Sequence, residues 1–310
     1  MIKRTLIQAL CVASVMTTTV YAKQGVNPCL NNMDNQIGTL YLCGFGGKFK
    51  VLSLDRCSLE DKDIPAIAAY LDAHPRINAL DIGQNQLGDE GMAALAKNRT
   101  LAWLNVSYND NIGDKGAAAI AQIATLTDLD MVADNVGPQG AIALASLPLR
   151  AINLTRNHIG PEGGRALARS NTLQIAYLDT NEIGTEAAAE FGKNTSLTHL
   201  YIGWNKIGDA AAIAIAGNKT IVDIGLEYNN IGNPGALALA TNTTLRWLYI
   251  FNNHIGPTGI AALEKNTTLV EVSVEDNDGT TVKRRGFVKF VKPQRSESQA
   301  EMSERCANQL

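Results

Sequence analysis

The stretch GALALATNTTLRWLYIFNNHIGPTG, residues 235–259, decides the fold because its apolar pattern changes period halfway along. The first part spaces apolar residues as a helix does, and the second part alternates them as a strand does. A closely similar stretch, GAIALASLPLRAINLTRNHIGPEG, occupies residues 140–163. A pattern that returns along a chain indicates repeated supersecondary units, so a repeat has to be sought before any other fold is considered.

Aligning the chain on L-x-L-x-x-N-x-I-G yields ten copies of the strand segment, spaced by 28, 24, 25 and 23 residues and then by 24 throughout. Five consecutive intervals of 24 residues identify an array. One such unit cannot bury its own apolar face, whereas stacked units can. The first apolar residues of the ten copies are Leu52, Leu80, Leu104, Leu129, Ile152, Ala176, Leu200, Ile224, Leu248 and Val272.

One position after each strand segment is asparagine in eight of the ten copies. An amide side chain both donates and accepts, so it can satisfy backbone groups that would each cost ~1–3 kcal/mol if left buried and unpaired. Cys57 and Asp134 occupy this position in the other two copies. We interpret Cys57 as structural rather than reactive, and Asp134 as an imperfect rung because a carboxylate only accepts. The asparagines are Asn85, Asn109, Asn157, Asn181, Asn205, Asn229, Asn253 and Asn277.

The second half of each unit begins with glycine and predicts a short helix. Proline is favoured at the first helical positions, and aspartate favours a helix start by capping and by the helix dipole. An asparagine followed by threonine or serine ends several of the helices. Seven N-x-S/T triplets result, which are glycosylation motifs or repeat consensus, and we favour repeat consensus because five contain the helix-ending asparagine. The helix-start residues are Pro138, Pro161, Pro234, Pro257, Asp89, Asp114 and Asp209.

These residues resemble the leucine-rich repeat family. The consensus LxxLxLxxNxIGxxGAxALAxN is similar to the ribonuclease-inhibitor-like class and more closely to the bacterial GALA-type repeats of 24 residues, and residues 235–240 spell GALALA. The resemblance covers residues 51–277 and implies an α/β solenoid that is curved, with parallel strands on the concave face and short helices on the convex face. It says little about function, because the repeat is a scaffold for exposed residues.

The two ends of the chain differ from the array. Residues 1–22 combine Lys3 and Arg4 with an apolar run and an Ala22 cleavage site, which predicts a signal peptide and a secreted or periplasmic protein. Residues 23–50 are expected to cap the first coil. In an exported chain Cys29 and Cys43 are the natural disulfide pair, whereas Cys57 and Cys306 are not expected to pair. Residues 278–310 are expected to form a second cap and a loose polar tail.

The outward-pointing positions of the predicted strands are rich in aromatic side chains. Nine of the 17 aromatic residues fall on these 40 positions, and seven of the nine belong to the sixth to ninth strands. Strand propensity explains part of this enrichment, and a protein-binding site explains its bias toward one end. The nine residues are Trp103, Tyr108, Tyr177, Tyr201, Trp204, Tyr228, Trp247, Tyr249 and Phe251.

The same positions hold ten carboxylates, against which stand only Arg56, Arg156 and the titratable His199. A hollow with one sign of charge attracts the opposite charge, although acids also keep a surface soluble. We therefore expect a protein partner with a basic rim and an apolar centre, bound by the aromatic residues together with Asp223 and Glu227. The carboxylates are Asp55, Asp81, Asp128, Asp130, Asp179, Asp223, Glu227, Glu271, Glu275 and Asp276.

Composition and motifs argue against several other functions. A net charge of −3 gives no reason to expect nucleic acid, and the apolar stretch near residues 6–16 is too short for a stable membrane span. No motif indicates an enzyme, a metal or a cofactor, and the protein is expected to be a monomer. Two alternatives to a protein-binding module remain: a regulator of a host GTPase or ubiquitin-ligase adaptor, and a structural envelope or surface protein.

Overall fold

The computed structural model describes residues 27–42 and 47–278. The predicted signal peptide, Cys43, Cys306 and residues 279–310 lie outside these ranges. Within them the chain forms one sheet of 11 strands in sequence order. Ten adjacent pairs build it: the first two strands are antiparallel and every later pair is parallel, as a stack of successive coils requires.

The strands are short, and each one after the second contributes three residues to the sheet. Each is centred on the residue that the repeat alignment predicts, which confirms the register of the array. The second strand begins before residue 51, so the predicted boundary of the cap passes through it. The strands are β1 (Ile37–Leu42), β2 (Gly47–Ser53), β3 (Ala79–Asp81), β4 (Trp103–Asn105), β5 (Asp128–Asp130), β6 (Ala151–Asn153), β7 (Ile175–Tyr177), β8 (His199–Tyr201), β9 (Asp223–Gly225), β10 (Trp247–Tyr249) and β11 (Glu271–Ser273).

A helix follows each of the strands from β2 to β10 and packs on the opposite side of the core. Leucine and isoleucine from both layers form one continuous buried cluster along the array. Helices are wider than the spacing between strands, so the stack curves with its strands inside. The helices are α1 (Ile64–Ala73), α2 (Asp89–Leu95), α3 (Asp114–Ile120), α4 (Pro138–Leu144), α5 (Gly160–Ala168), α6 (Gly184–Ala189), α7 (Asp209–Ala216), α8 (Asn233–Leu239) and α9 (Pro257–Lys265), with 3-10 turns at Leu30–Gln36, Asp61–Asp63 and Glu190–Lys193.

The predicted asparagine ladder is present and buried. The Asn205 side chain is fully buried, and its Nδ2 donates to the carbonyl oxygens of Leu178 and Gly203, both at 2.9 Å. Its Oδ1 accepts from the backbone N–H groups of Asn181 at 3.0 Å and Ile183 at 3.1 Å. One side chain thus satisfies backbone groups of two consecutive coils, which fixes how the coils stack.

Asp134 interrupts this ladder as expected from its chemistry. Its Oδ1 accepts from the N–H of Asn109 at 2.7 Å, while its Oδ2 is buried without a hydrogen-bond partner. Burial raises the pKa of the Asp134 carboxyl to about 8, the Asn109 bond opposes this shift, and the nearby Asp110 adds to it. The folded state therefore favours the protonated acid.

Aspartates at the helix starts act between coils rather than within their own helix. Asp89 opens α2, yet its Oδ1 accepts from the N–H groups of Gly113 at 2.8 Å and Gly116 at 2.7 Å, at the start of the following helix. The prediction that these residues cap their own helix is therefore wrong. Gly116 is needed at this point, since a Cβ there would lie 2.7 Å from the Asp89 oxygen.

A third ladder runs along the helix ends and uses five of the seven asparagines of the N-x-S/T triplets. Asn218 is buried, its Oδ1 accepts from Thr220 and Ile221, and its Nδ2 donates to the carbonyl of Asn194 at 2.7 Å. The same burial holds for Asn98, Asn194, Asn242 and Asn266. The interpretation of these triplets as repeat consensus is therefore consistent with their positions.

The predicted disulfide between Cys29 and Cys43 is wrong, because Cys29 is bonded to Cys57. Asn27 donates to the carbonyl of Cys57 at 2.7 Å and holds the N-terminal segment against the first coil. The six residues of the strand β1, Ile37–Leu42, lie between Cys29 and Cys43 in the chain and extend over ~20 Å. Cys57 stands at the first ladder position and is structural, as expected, and it is not available to Cys306.

We expect disulfide mapping of the non-reduced protein to recover a peptide pair containing Cys29 and Cys57. Replacing Cys29 with serine should lower the free energy of unfolding by about 2–4 kcal/mol, because the loop in the unfolded chain is no longer closed. Recovery of a Cys29–Cys43 pair instead would contradict this assignment.

Replacing Asn205 with alanine should lower the free energy of unfolding by about 2–4 kcal/mol, because two buried N–H groups lose their acceptor. Asn205→Asp keeps the acceptor but loses the amide donor and buries a carboxyl group, so it should cost less than Asn205→Ala only at acidic pH, where the carboxyl is protonated. Urea unfolding measures both, with the exposed Asn171→Ala as a control expected to change stability by less than ~0.5 kcal/mol. Equal stability of Asn205→Ala and the control would show that the ladder is not a main determinant of the fold.

Replacing Asp134 with asparagine should stabilise the protein increasingly as pH rises. The pKa of the Asp134 carboxyl is about 8 in the folded protein and ~4 in the unfolded chain. Between these two pH values the unfolded chain is ionised and the folded protein is not, so the wild type loses stability as pH rises from ~4 to about 8. The stability difference in favour of the variant should be larger at pH 9 than at pH 5 by at least ~1 kcal/mol. Urea unfolding at both pH values checks this, and a difference that does not grow with pH would contradict it.

Candidate functional site

The parallel register arranges the outward-pointing residues in four columns, which we call the strand face. In the coil centred on Leu248 these positions are Trp247, Tyr249, Phe251 and Asn252. Trp247 stands beside Asp223, which stands beside His199, and Tyr249 is separated from Tyr201 by Gly225. Residues predicted from separate repeats are thus direct neighbours across the sheet.

Three aromatic rings from consecutive coils form a connected row. Trp204 stacks on Tyr228 with ring centroids 3.8 Å apart and 15° between planes. Tyr228 then meets Phe251 edge-on, with centroids 5.5 Å apart. We call Trp204, Tyr228 and Phe251, together with Trp247 and Tyr249 of the last of these coils, the aromatic patch. Trp204 is 54% exposed and Trp247 is 37% exposed, whereas the other three are half-buried.

Four of the predicted site aromatics lie outside this patch. Tyr177 stacks on Tyr201 with centroids 4.9 Å apart, and Tyr201 is buried with its hydroxyl donating to Asp223 at 2.8 Å. Trp103 is buried too, among Leu40, Phe49, Val51 and Ala79 of the first strands. Tyr108 is exposed but four coils away from Trp204. The expectation that Trp103 and Tyr201 face solvent is therefore wrong, because neighbouring side chains cover them.

The predicted rim charges are also buried. Asp223 is 7% exposed and Glu227 is not exposed at all, so neither can act as a freely solvated charge at the edge of a site. Burial, followed by the Asp223 charge, raises the pKa of the Tyr201 phenol. Asp223 therefore has a structural role, because it accepts the hydrogen bond of the buried Tyr201 hydroxyl. The more accessible carboxylates on this part of the strand face are Asp179, Glu271, Glu275 and Asp276.

Trp204 and Tyr228 occupy a column in which the backbone is left-handed. Their φ angles are +58° and +52°, and Tyr108 has +61° at the equivalent position. Bulky residues are uncommon in this conformation, which costs roughly 1–2 kcal/mol compared with the right-handed one. The next residue in each coil is the ladder asparagine, which fixes the turn. Backbone preference therefore does not explain aromatic residues here.

Gly203 makes room for two carboxylates beside Trp204. The N–H of Gly203 donates to Asp179 Oδ1 at 2.8 Å. A Cβ on Gly203 would lie 2.9 Å from that oxygen and 2.7 Å from Glu227 Oε1, so both side chains converge above this glycine. The sequence analysis identified Asp179 only as one of ten carboxylates. Gly203 lies between Asp179 and Glu227 in the same column of the alignment, and this small residue between two carboxylates is a signal that the sequence contained.

The other half of the strand face is less negative near neutral pH than its residue count indicates. Burial, and then the neighbouring Asp128, raises the pKa of Asp130 to about 7, and burial followed by Asp55 raises that of Asp81 to about 6. Arg150 forms an ion pair with Asp128 at 3.0 Å. This half of the strand face therefore carries less negative charge than its number of carboxyl groups indicates.

No group of three or more histidine, cysteine, aspartate or glutamate side chains within the described residues is arranged to bind a metal ion. None of the helices that the structure describes is long and apolar enough to cross a membrane.

Comparison with known proteins agrees with the geometry of the coils. Six stretches match the family model described as Leucine Rich repeat: residues 77–96, 97–121, 146–168, 193–216, 217–240 and 241–263. The chain therefore contains leucine-rich repeats, and its architecture is a leucine-rich-repeat solenoid. No curated protein shows a significant match in sequence.

Solved structures with this architecture are similar in fold and distant in sequence. An internalin from Listeria monocytogenes is 19% identical with a TM-score of 0.46, and the match covers 70% of each chain. A second internalin from the same organism is 19% identical with a TM-score of 0.44 over 72% of this chain and 80% of the other. A plant ice-binding protein is 21% identical with a TM-score of 0.51 over 69% of this chain and 67% of the other. At these identities the likeness concerns the fold alone.

Proposed function

We propose that this leucine-rich-repeat protein is an exported, monomeric module that binds another protein through its aromatic patch. The observation that carries the proposal is the row of Trp204, Tyr228 and Phe251, in which a tryptophan remains 54% exposed on a rigid sheet. Large aromatic side chains held rigidly at a surface are the usual anchors of protein interfaces. Strand propensity does not account for them, since two lie in left-handed backbone.

Export is supported by two features of the chain. Residues 1–22 have the pattern of a signal peptide, and Cys29 is disulfide-bonded to Cys57, a bond that persists in oxidising compartments. The 24-residue period and the GALALA segment favour the GALA-type class for these repeats. Mass spectrometry of the exported protein should find a mature chain that begins near Lys23, and an intact Met1 would contradict export by this route.

Truncating Trp204 or Trp247 should weaken partner binding by at least ~2 kcal/mol, as the loss of a central aromatic anchor does. We would use Trp204→Asn, because asparagine tolerates the left-handed backbone at this position, and Trp247→Ala. The amount of each protein captured by the wild type would be compared with the amount captured by each variant. Each captured protein would then be titrated with the wild type and with the variants to measure its affinity.

Tyr108→Asn is the matched control. Tyr108 is 47% exposed with a φ angle of +61°, close to the values for Trp204, but it lies outside the aromatic patch. It should retain the partner, and thermal melts should show that all three variants are folded. Normal binding by both tryptophan variants would show that the patch is sheet packing and not a binding site.

A further inference from the structure

Among the described residues, one face of the Trp204 ring has no aromatic ring stacked on it, and the residue is 54% exposed. Its other face stacks on Tyr228 of the following coil, and that ring continues the row to Phe251. Trp204 is thus the first ring of the row, and its free face is directed toward the preceding coil, centred on Ala176. The 54% exposure of Trp204 agrees with one covered and one open face.

The preceding coil places an exposed hydroxyl and a carboxylate at this free face. Thr180 is exposed and stands in the same column as Trp204. Asp179 is half-buried and is held toward the Trp204 coil by the Gly203 N–H at 2.8 Å. The fully buried Glu227 side chain of the following coil approaches the same glycine.

The strand-face charge from this point toward the last described coil is negative, and Arg156, exposed in the coil before Thr180, is the adjacent strand-face cation. On the strand face of the last five described coils, from the Ala176 coil to the Val272 coil, there is no lysine or arginine. His199 is the titratable base among these positions, and burial lowers its pKa, which favours its neutral form. The carboxylates at these positions that are at least partly exposed are Asp179, Glu271, Glu275 and Asp276. A low-dielectric concave surface concentrates such a field.

We propose that the open face of Trp204 is a subsite for an arginine side chain of the protein partner, with the guanidinium stacked on the indole and hydrogen-bonded to Asp179. This proposal rests on the proposed function and names the chemistry of its partner. A guanidinium is planar, weakly hydrated and always charged, so it satisfies an aromatic face and a carboxylate together, which a lysine ammonium does less well. A neutral sugar would use the ring but not the surrounding negative charge.

The test is titration of the full chain with an end-blocked tetra-arginine peptide, followed by tryptophan fluorescence and calorimetry at low salt. Tetra-arginine should bind, tetra-lysine should bind at least threefold more weakly, and the uncharged tetra-citrulline should not bind measurably. Trp204→Asn and Asp179→Asn should each weaken tetra-arginine binding at least tenfold. Asp179→Asn retains an oxygen for the Gly203 N–H, so the loss reports the charge.

Tyr108→Asn is again the matched control and should bind tetra-arginine as the wild type does. Undetectable binding of tetra-arginine, equal binding by Trp204→Asn, or equal binding of tetra-citrulline would each overturn the arginine subsite. Trp204-dependent binding of a neutral oligosaccharide such as maltoheptaose would overturn it in favour of a glycan. If a captured partner still requires Trp204 and Trp247 while tetra-arginine does not, the proposed function stands and only this inference fails.

Discussion

The buried asparagine ladder is the constraint on which the rest of this structure depends. In every coil the chain must leave a strand and cross the core, which exposes backbone groups that no neighbouring strand can satisfy. A side chain such as Asn205 satisfies groups of its own coil and of the preceding one, as its four hydrogen bonds show. Stacking is therefore specified by directional bonds, and the apolar core fills the space that these bonds define.

Two further ladders repeat this principle on the helix side. Asp89 joins one helix start to the next, and Asn218 joins one helix end to the preceding coil. Side chains that resemble caps or glycosylation sites in a single repeat are thus bonds between repeats. Such nearest-neighbour bonding is what gives a solenoid its stability, since each coil contacts only its neighbours.

The same ladder makes the surface available for recognition. Because it fixes the turn that follows each strand, the preceding residue takes a left-handed conformation whatever its side chain is, as Trp204 and Tyr228 illustrate. A large ring at this position is held over the strand face by a backbone whose conformation is set by the ladder asparagine and not by the ring. The scaffold and the recognition surface are therefore separable, and variation in the columns can change the partner without changing the fold.

The sequence alone determined the repeat, the register of the strands, the ladder and the columns of the strand face, because each depends on local period and stacking. It did not determine which members of a column reach solvent. Trp103 and Trp247 occupy the same column of the alignment, but the first is covered by Leu40 and Phe49 and the second is 37% exposed. It also did not determine the Cys29–Cys57 bond, or the convergence of Asp179 and Glu227 above Gly203. These features depend on packing between distant residues, and only the tertiary structure decides them.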